Sequence, residues 1–178
     1  MSPENAPENT GGNAPATSAG FLEEPGPTGL WFEDFVLGRT MRSPARTVTE
    51  ADILTFAGLT GDFSELHTDE LFARNTAFGG RIAHGLLGLA IAHGLICRTG
   101  HIRGTGLASL GWDKWEIRGA IRIGDTVRSV WRAVRLRESR SRPDAGIVTE
   151  WIELVNQHDA VVQRGEHTSL IRRRPDSG

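Results

Sequence analysis

The chain of 178 residues contains a single cysteine and a single lysine, and both scarcities restrict what the protein can be. Cys97 cannot form an intramolecular disulfide, and cysteine and histidine nowhere have the spacing of a zinc site. We therefore expect a reducing compartment, a cytoplasmic protein and no metal. The basic residues other than Lys114 are arginines, and the formal net charge of -2 argues against a general nucleic-acid binder.

No apolar run is long enough to cross a membrane. The longest, residues 82–97, is shorter than the ~20 residues of a spanning helix and is interrupted by glycine and histidine. Residues 1–27 lack the basic start and apolar stretch of a signal peptide, and their Pro-, Gly- and Asn-rich composition predicts disorder. We expect one domain over residues 28–174, a tail at 175–178, and neither membrane nor nucleic acid as a partner.

The first part of this domain has the pattern of helices. Thr49 and Asp52 match a capping box, and apolar residues repeat at helical spacing behind them until Gly61. Residues 85–97 are apolar on every side, which predicts a helix enclosed by other elements. Three glycines in this helix each cost about 1 kcal/mol of helix propensity against alanine. We therefore expect strands or a partner helix to approach its backbone closely at the glycines, which are Gly85, Gly88 and Gly94.

Four long segments after residue 105 are typical of strands, and turn-forming residues separate them. They cover residues 106–117, 126–136, 147–155 and 161–170. Long strands joined by turns, with the helices grouped earlier, indicate an antiparallel sheet and the α+β class. One buried helix followed by four such strands is the plan of a hotdog fold, in which the sheet wraps around a central apolar helix.

A carboxylate and an imidazole stand five residues apart at Asp62 and His67. On a helix this spacing corresponds to about 500° and separates the side chains, but a loop after Gly61 can bring both to one point. A carboxylate and an imidazole that share a water can deprotonate it at neutral pH and return a proton elsewhere. The spacing alone favours a structural interpretation, in which the aspartate caps local backbone amides and the histidine lies in an ordinary turn.

Two blocks around these residues resemble the MaoC-like, R-specific enoyl-CoA hydratases. Residues 61–67 read G-D-F-S-E-L-H where the family has G-D-x-N-P-[LIV]-H, and residues 78–85 read F-G-G-R-I-A-H-G where it commonly has F-G-x-x-I-A-H-G. The resemblance extends from about residue 31 to residue 170. It implies a hotdog fold, usually paired as a homodimer or a higher homo-oligomer, that acts on 2-enoyl thioesters of coenzyme A or acyl carrier protein.

The resemblance also implies roles for single residues. Asp62 and His67 match the catalytic pair, and Gly85 matches the residue whose N–H polarises the thioester carbonyl. His84 matches a position that is not the usual catalytic histidine, and we expect it to form a supporting hydrogen bond near the substrate. Ser64 replaces the family's asparagine and keeps hydrogen-bonding capacity with a shorter reach. Glu65 replaces a proline, which removes a rigid turn and adds a charge.

The sequence therefore predicts a hydratase/dehydratase that adds or removes water across the C2–C3 double bond of a 2-enoyl thioester, without a metal or a redox cofactor. Two alternatives remain open. A hotdog thioesterase would direct the water to the carbonyl carbon and release a free thiol. The departures at Ser64 and Glu65 motivate the other alternative, a non-catalytic acyl-thioester-binding or assembly subunit.

Overall fold

Four long strands and one central helix dominate the computed structural model, which describes residues 28–175. The disorder predicted for residues 1–27 lies outside these described residues, as do residues 176–178 of the predicted tail. None of the helices between residues 28 and 175 has both the length and the apolar character to span a membrane. In chain order the elements are a 3-10 turn (Phe32–Asp34), β1 (Thr40–Arg42), β2 (Arg46–Thr47), α1 (Glu50–Thr60), α2 (Glu65–Thr68), α3 (Glu70–Arg74), α4 (Gly85–Cys97), β3 (Gly106–Ile117), β4 (Thr126–Glu138), β5 (Ala145–Val155) and β6 (Val161–Arg172).

The strands form an antiparallel sheet in the order β1-β4-β5-β6-β3, with β2 paired to β4. Helix α4 packs against this sheet and buries Leu87, Ile91 and Leu95 against Val127 and Leu154. The α+β class and the central apolar helix are thus confirmed.

Helix α1 directs the chain into the loop that carries Asp62. Its capping box is confirmed, because the Thr49 hydroxyl accepts from the Asp52 N–H and the Asp52 carboxylate accepts from the Thr49 N–H at 2.8 Å. Gly61 ends the helix in the left-handed conformation, with φ of 78°, and donates its N–H to the Ala57 carbonyl. Glycine adopts this φ without steric cost, so the chain can reverse at this point.

The expected close approaches to α4 occur at two of its three glycines. A β-carbon at Gly85 would overlap the side chain of Ile117, and one at Gly88 would overlap the amide of Gln163. Within the described residues of this chain no strand approaches Gly94, where a β-carbon would meet nothing within 4 Å. It is wrong that α4 is enclosed on every side, since Leu86 is 69% exposed. The reason is geometric, because the sheet of one chain covers only one face of the helix.

A cluster of buried polar side chains lies between the second half of α4 and the sheet. His101 Nε2 and Glu150 Oε1 are 3.4 Å apart, and both side chains are buried. His167 stacks on Trp112 at 4.3 Å between ring centroids, with His93 at 5.2 Å. Burial, together with the nearby His93, lowers the pKa of His167 to about 4, and burial also lowers the pKa of His93. Both histidines are therefore neutral in the folded protein at pH 7.

This cluster predicts an acid-sensitive fold. An unfolded histidine has a pKa of about 6.5, so below that pH the unfolded chain binds protons that the folded protein does not bind until about pH 4 at His167. The free energy of unfolding should therefore fall as the pH falls through this window, by at most about 1.4 kcal/mol per pH unit from His167. Urea unfolding at a series of pH values should show a shallower dependence for His167→Gln than for the wild type. Equal slopes would contradict this account of the cluster.

Candidate active site

The carboxylate of Asp62 is held by the residue that departs from the family pattern. Asp62 Oδ1 accepts the Ser64 hydroxyl hydrogen in a very short hydrogen bond and the Ser64 backbone N–H at 3.2 Å. Ser64 precedes α2 as its N-cap, but its hydroxyl makes no cap bond and turns to Asp62. These two hydrogen bonds, with smaller contributions from His84 and His67, hold the pKa of Asp62 below its usual range. Asp62 is exposed and ionised at neutral pH.

The hydrogen bond of His67 fixes which of its ring nitrogens is free. His67 lies in α2, half-buried, with Nδ1 2.8 Å from the carbonyl oxygen of Ile82. Because a carbonyl only accepts, the neutral imidazole carries its hydrogen on Nδ1 and keeps a lone pair on Nε2. His67 therefore presents a proton acceptor at Nε2.

His84 contacts both Asp62 and His67. It is the N-cap of α4 and 2% exposed, and its Nε2–H donates to the carbonyl oxygen of Asp62 at 2.9 Å. Its ring lies 3.8 Å from that of His67 between centroids, and Phe56 packs on it at 5.0 Å. The same side chain thus restrains the backbone of Asp62 and the ring of His67.

The carboxylate and the two imidazoles of this site lie close enough together for a water molecule to bridge two of them. Asp62, His67 and His84 each present an atom within 4.8 Å of the others. A water at ordinary hydrogen-bond distances spans a gap of this width between two acceptors. A carboxylate and two imidazoles also suit a divalent cation such as Zn²⁺.

A pocket of about 370 Å³ opens beside His67 and Gly85. Gly85 is the first residue of α4, so its N–H has no carbonyl in a preceding turn to bind. The walls are mainly apolar, with Ile82, Ile117 and Ile121 among the lining residues. An apolar pocket lined by His67 and by the first residue of a helix can hold the acyl part of a ligand and polarise its carbonyl.

The departure at Glu65 agrees with the local structure. Glu65 is the first residue of α2, a position that favours proline, and it also favours a carboxylate because of the helix dipole. The charge that Glu65 was predicted to add near Asp62 and His67 thus belongs to an exposed side chain at the start of α2. The five predicted site residues lie around one place, although their roles remain predictions.

The sequence did not indicate two further parts of the site. Arg81 pairs with Glu50 at 2.9 Å and with Glu70 at 3.1 Å, which ties the segment before α4 to α1 and α3. Gln163 in β6 is 1% exposed and lines the pocket. The only sign of Gln163 in the sequence is an amide among the apolar residues of a predicted strand.

Comparisons with known proteins agree with this geometry. A family model described as a MaoC like domain matches residues 34–154. The (R)-specific enoyl-CoA hydratase of Rhodospirillum rubrum is 35% identical over 97 residues, which cover 54% of this chain and 65% of that protein. The 3-hydroxybutyryl-CoA dehydratase of Methylorubrum extorquens is 32% identical over 64% of this chain and 69% of that protein. The match to the MaoC protein of Klebsiella aerogenes, 35% identical over 55% of this chain, spans only 29% of that relative.

Solved structures show the same fold. The crystal structure of a MaoC-like dehydratase from Rhodospirillum rubrum superposes with a TM-score of 0.75 at 33% identity, covering 83% of this chain and 99% of that one. A Mycobacterium tuberculosis protein with a double hotdog fold gives a TM-score of 0.72 at 20% identity, covering 84% of this chain and 46% of that one. The predicted hotdog fold is confirmed.

The contact between Ser64 and Asp62 predicts a measurable titration. Replacing Ser64 with alanine removes the hydroxyl donor, so the pKa of Asp62 should rise towards the usual aspartate range. Ser64→Thr, which keeps a hydroxyl, should leave the pKa of Asp62 low. Carboxyl-carbon NMR titration of Asp62 measures both variants. An unchanged pKa in Ser64→Ala would mean that the hydroxyl does not act on this carboxylate.

Proposed function

We propose, from the premise that this chain belongs to the MaoC-like domain family, that it reversibly hydrates 2-enoyl thioesters to 3-hydroxyacyl thioesters. The observation that carries the proposal is the proximity of the Asp62 carboxylate and the His67 imidazole, with potential ligand atoms within 4.8 Å of each other, at an apolar pocket that His67 lines. Relatives named as enoyl-CoA hydratase and 3-hydroxybutyryl-CoA dehydratase support it.

The reaction needs only a water molecule and these side chains. The water donates one hydrogen to Asp62 and the other to His67 Nε2, so its oxygen lone pair is free to face C3 of the substrate. As the C3–O bond forms, one O–H bond breaks and its proton moves to the pair, while the electrons of the C2–C3 double bond pass towards the thioester oxygen. The pair then returns a proton to C2 on the same face. The dehydration is the reverse, and no cofactor takes part.

Gly85 stabilises the charge that develops in this step. The first N–H groups of α4 have no partners within the helix, and the helix dipole favours negative charge at this end. An enolate-like thioester oxygen next to the Gly85 N–H therefore gains a hydrogen bond in the transition state. With the carbonyl held here, C3 lies towards Asp62 and His67, which favours attack on C3 over attack on the carbonyl carbon by a thioesterase.

We also propose that two copies of the chain pair through β3, which would make the working form a homodimer. Strand β3 is hydrogen-bonded only to β6 in the described part of the chain, so its outer edge is open. Leu110 and Ile117 on this strand are 51% and 63% exposed, and an open apolar edge favours pairing with a like strand. Ile117 also lines the pocket, so the partner would lie close to the site.

A location in the cytoplasm also belongs to this proposal. It is supported by Cys97, which forms no disulfide.

Asp62→Asn and His67→Gln should each lower the hydration rate by roughly 10²–10⁴-fold, because both changes keep size and hydrogen bonding but remove proton transfer. The double variant should be little worse than either single variant, since both groups act on one water. Loss of enoyl absorbance measures the rate. Asp159→Asn and His158→Gln, the same changes in the exposed β5–β6 turn, are the matched controls. Additive losses would show that the two groups act in separate steps.

Light scattering at micromolar concentration should give the mass of a dimer for the wild type. Leu110→Asp places a charge on the proposed contact and should yield monomers. Val36→Asp is the matched control, because Val36 is 57% exposed beside β1, at the other end of the sheet. A monomeric wild type would refute the pairing.

A further inference from the structure

Gln163 is the one fully buried amide in the wall of the substrate pocket within residues 28–175. It is 1% exposed, and most of the pocket around it is apolar, including Ile82, Ala83 and Ile121. A leucine or methionine at this position would fill the same space without a desolvation cost. An amide is therefore expected at this position only if its hydrogen-bonding groups have a role.

The hydrogen bonds of Gln163 leave part of the amide free. Its Oε1 accepts from Trp115 Nε1 at 3.0 Å, and its Nε2 donates to the Gly85 carbonyl at 3.0 Å. A primary amide has two N–H hydrogens and two lone pairs on oxygen. One N–H and one lone pair thus have no partner in the described part of the chain. Buried hydrogen-bonding groups are seldom left unpaired, so the free N–H indicates a ligand or a water at this point.

A second feature of the sequence is tied to the same side chain. A β-carbon at Gly88 would overlap the Gln163 amide, so the glycine in the middle of α4 is what makes room for it. Glycine weakens a helix interior relative to alanine. In the observed conformation, Gln163 therefore requires a glycine at position 88.

The pocket places this amide next to the acyl end of a substrate. A coenzyme A or carrier-protein moiety is far too large for about 370 Å³ and must extend outwards, where the Arg118 side chain is 55% exposed. The acyl chain then points inwards. Gln163 Nε2 lies 3.0 Å from the carbonyl oxygen of Gly85, the same residue whose N–H would bind the thioester oxygen. A volume of this size, at about 30 Å³ for each water-sized group, accommodates about twelve such groups and therefore an acyl chain that extends well beyond C3.

We propose that Gln163 determines the acyl specificity of the hydratase, and that the pocket selects 2-enoyl groups with a neutral oxygen, a hydroxyl or a carbonyl, beyond C3. This oxygen accepts the free N–H of Gln163, and a hydroxyl also donates to the free lone pair. A carboxylate fits less well because no buried cation lies beside the amide in the described residues. The inference rests on the proposed hydration and adds its substrate class.

The test compares two substrates of nearly equal size. 5-Hydroxy-2-pentenoyl-CoA carries a hydroxyl where 2-hexenoyl-CoA carries a methyl group. The wild type should favour the hydroxylated substrate in kcat/KM, because the alkyl chain leaves the amide unpaired. Gln163→Met, which is apolar and of similar length, should shift the ratio of the two kcat/KM values towards 2-hexenoyl-CoA by roughly 5- to 150-fold.

A second variant keeps the test decisive if Gln163→Met does not fold. Gln163→Glu retains an acceptor for Trp115 and loses the donor, so it should lose the same preference. Gln157→Leu, a change at an exposed glutamine after β5, should retain the wild-type ratio. A wild type that hydrates 2-butenoyl-CoA but does not prefer the hydroxylated substrate, or a ratio unchanged by both Gln163 variants, overturns this inference and leaves the hydratase standing. No hydration of any enoyl thioester overturns both.

Discussion

Two hydrogen bonds from histidines to backbone carbonyls hold this site together, and they run in opposite directions. His67 on α2 donates to the carbonyl of Ile82, just before α4, and His84 at the start of α4 donates back to the carbonyl of Asp62. The loop with the carboxylate and the helix start with the free N–H groups are thereby fixed to each other. Each bond also sets the tautomer of its imidazole, so the same contacts that position the site leave Nε2 of His67 as a proton acceptor.

Two sets of polar side chains are buried against α4. Gln163 and Trp115 lie against the first turns of the helix, while His93, His101, Glu150 and His167 lie behind its second half. An apolar core of the same shape would be more stable, because each of these groups loses its hydration on folding. In the first set, Gln163 lies in the wall of the pocket and Trp115 binds its amide oxygen. The second set is the basis of the acid sensitivity predicted for the fold.

The periodic and local features of the chain were predictable from the sequence. Strand β3 has the predicted bounds, and β4, β5 and β6 extend at most two residues beyond theirs, because turn residues mark their ends. The two sequence blocks predicted that Asp62 and His67 lie close together, as the structure shows. The reciprocal histidine bonds, the overlap of Gln163 with Gly88 and the exposed face of α4 were not predictable. Each depends on which distant residues the sheet brings together, and no local pattern in the sequence encodes that.

Labelled water distinguishes hydration at C3 from attack on the carbonyl carbon, because the oxygen of the water ends in a different product in each case. The protein is incubated with 2-butenoyl-CoA in H₂¹⁸O, and the products are analysed by mass spectrometry. Hydration at C3 should give one ¹⁸O atom in the hydroxyl of an intact 3-hydroxybutyryl thioester, without free thiol. An ¹⁸O atom in a released carboxylate, together with free coenzyme A, would show attack on the carbonyl carbon and would contradict it.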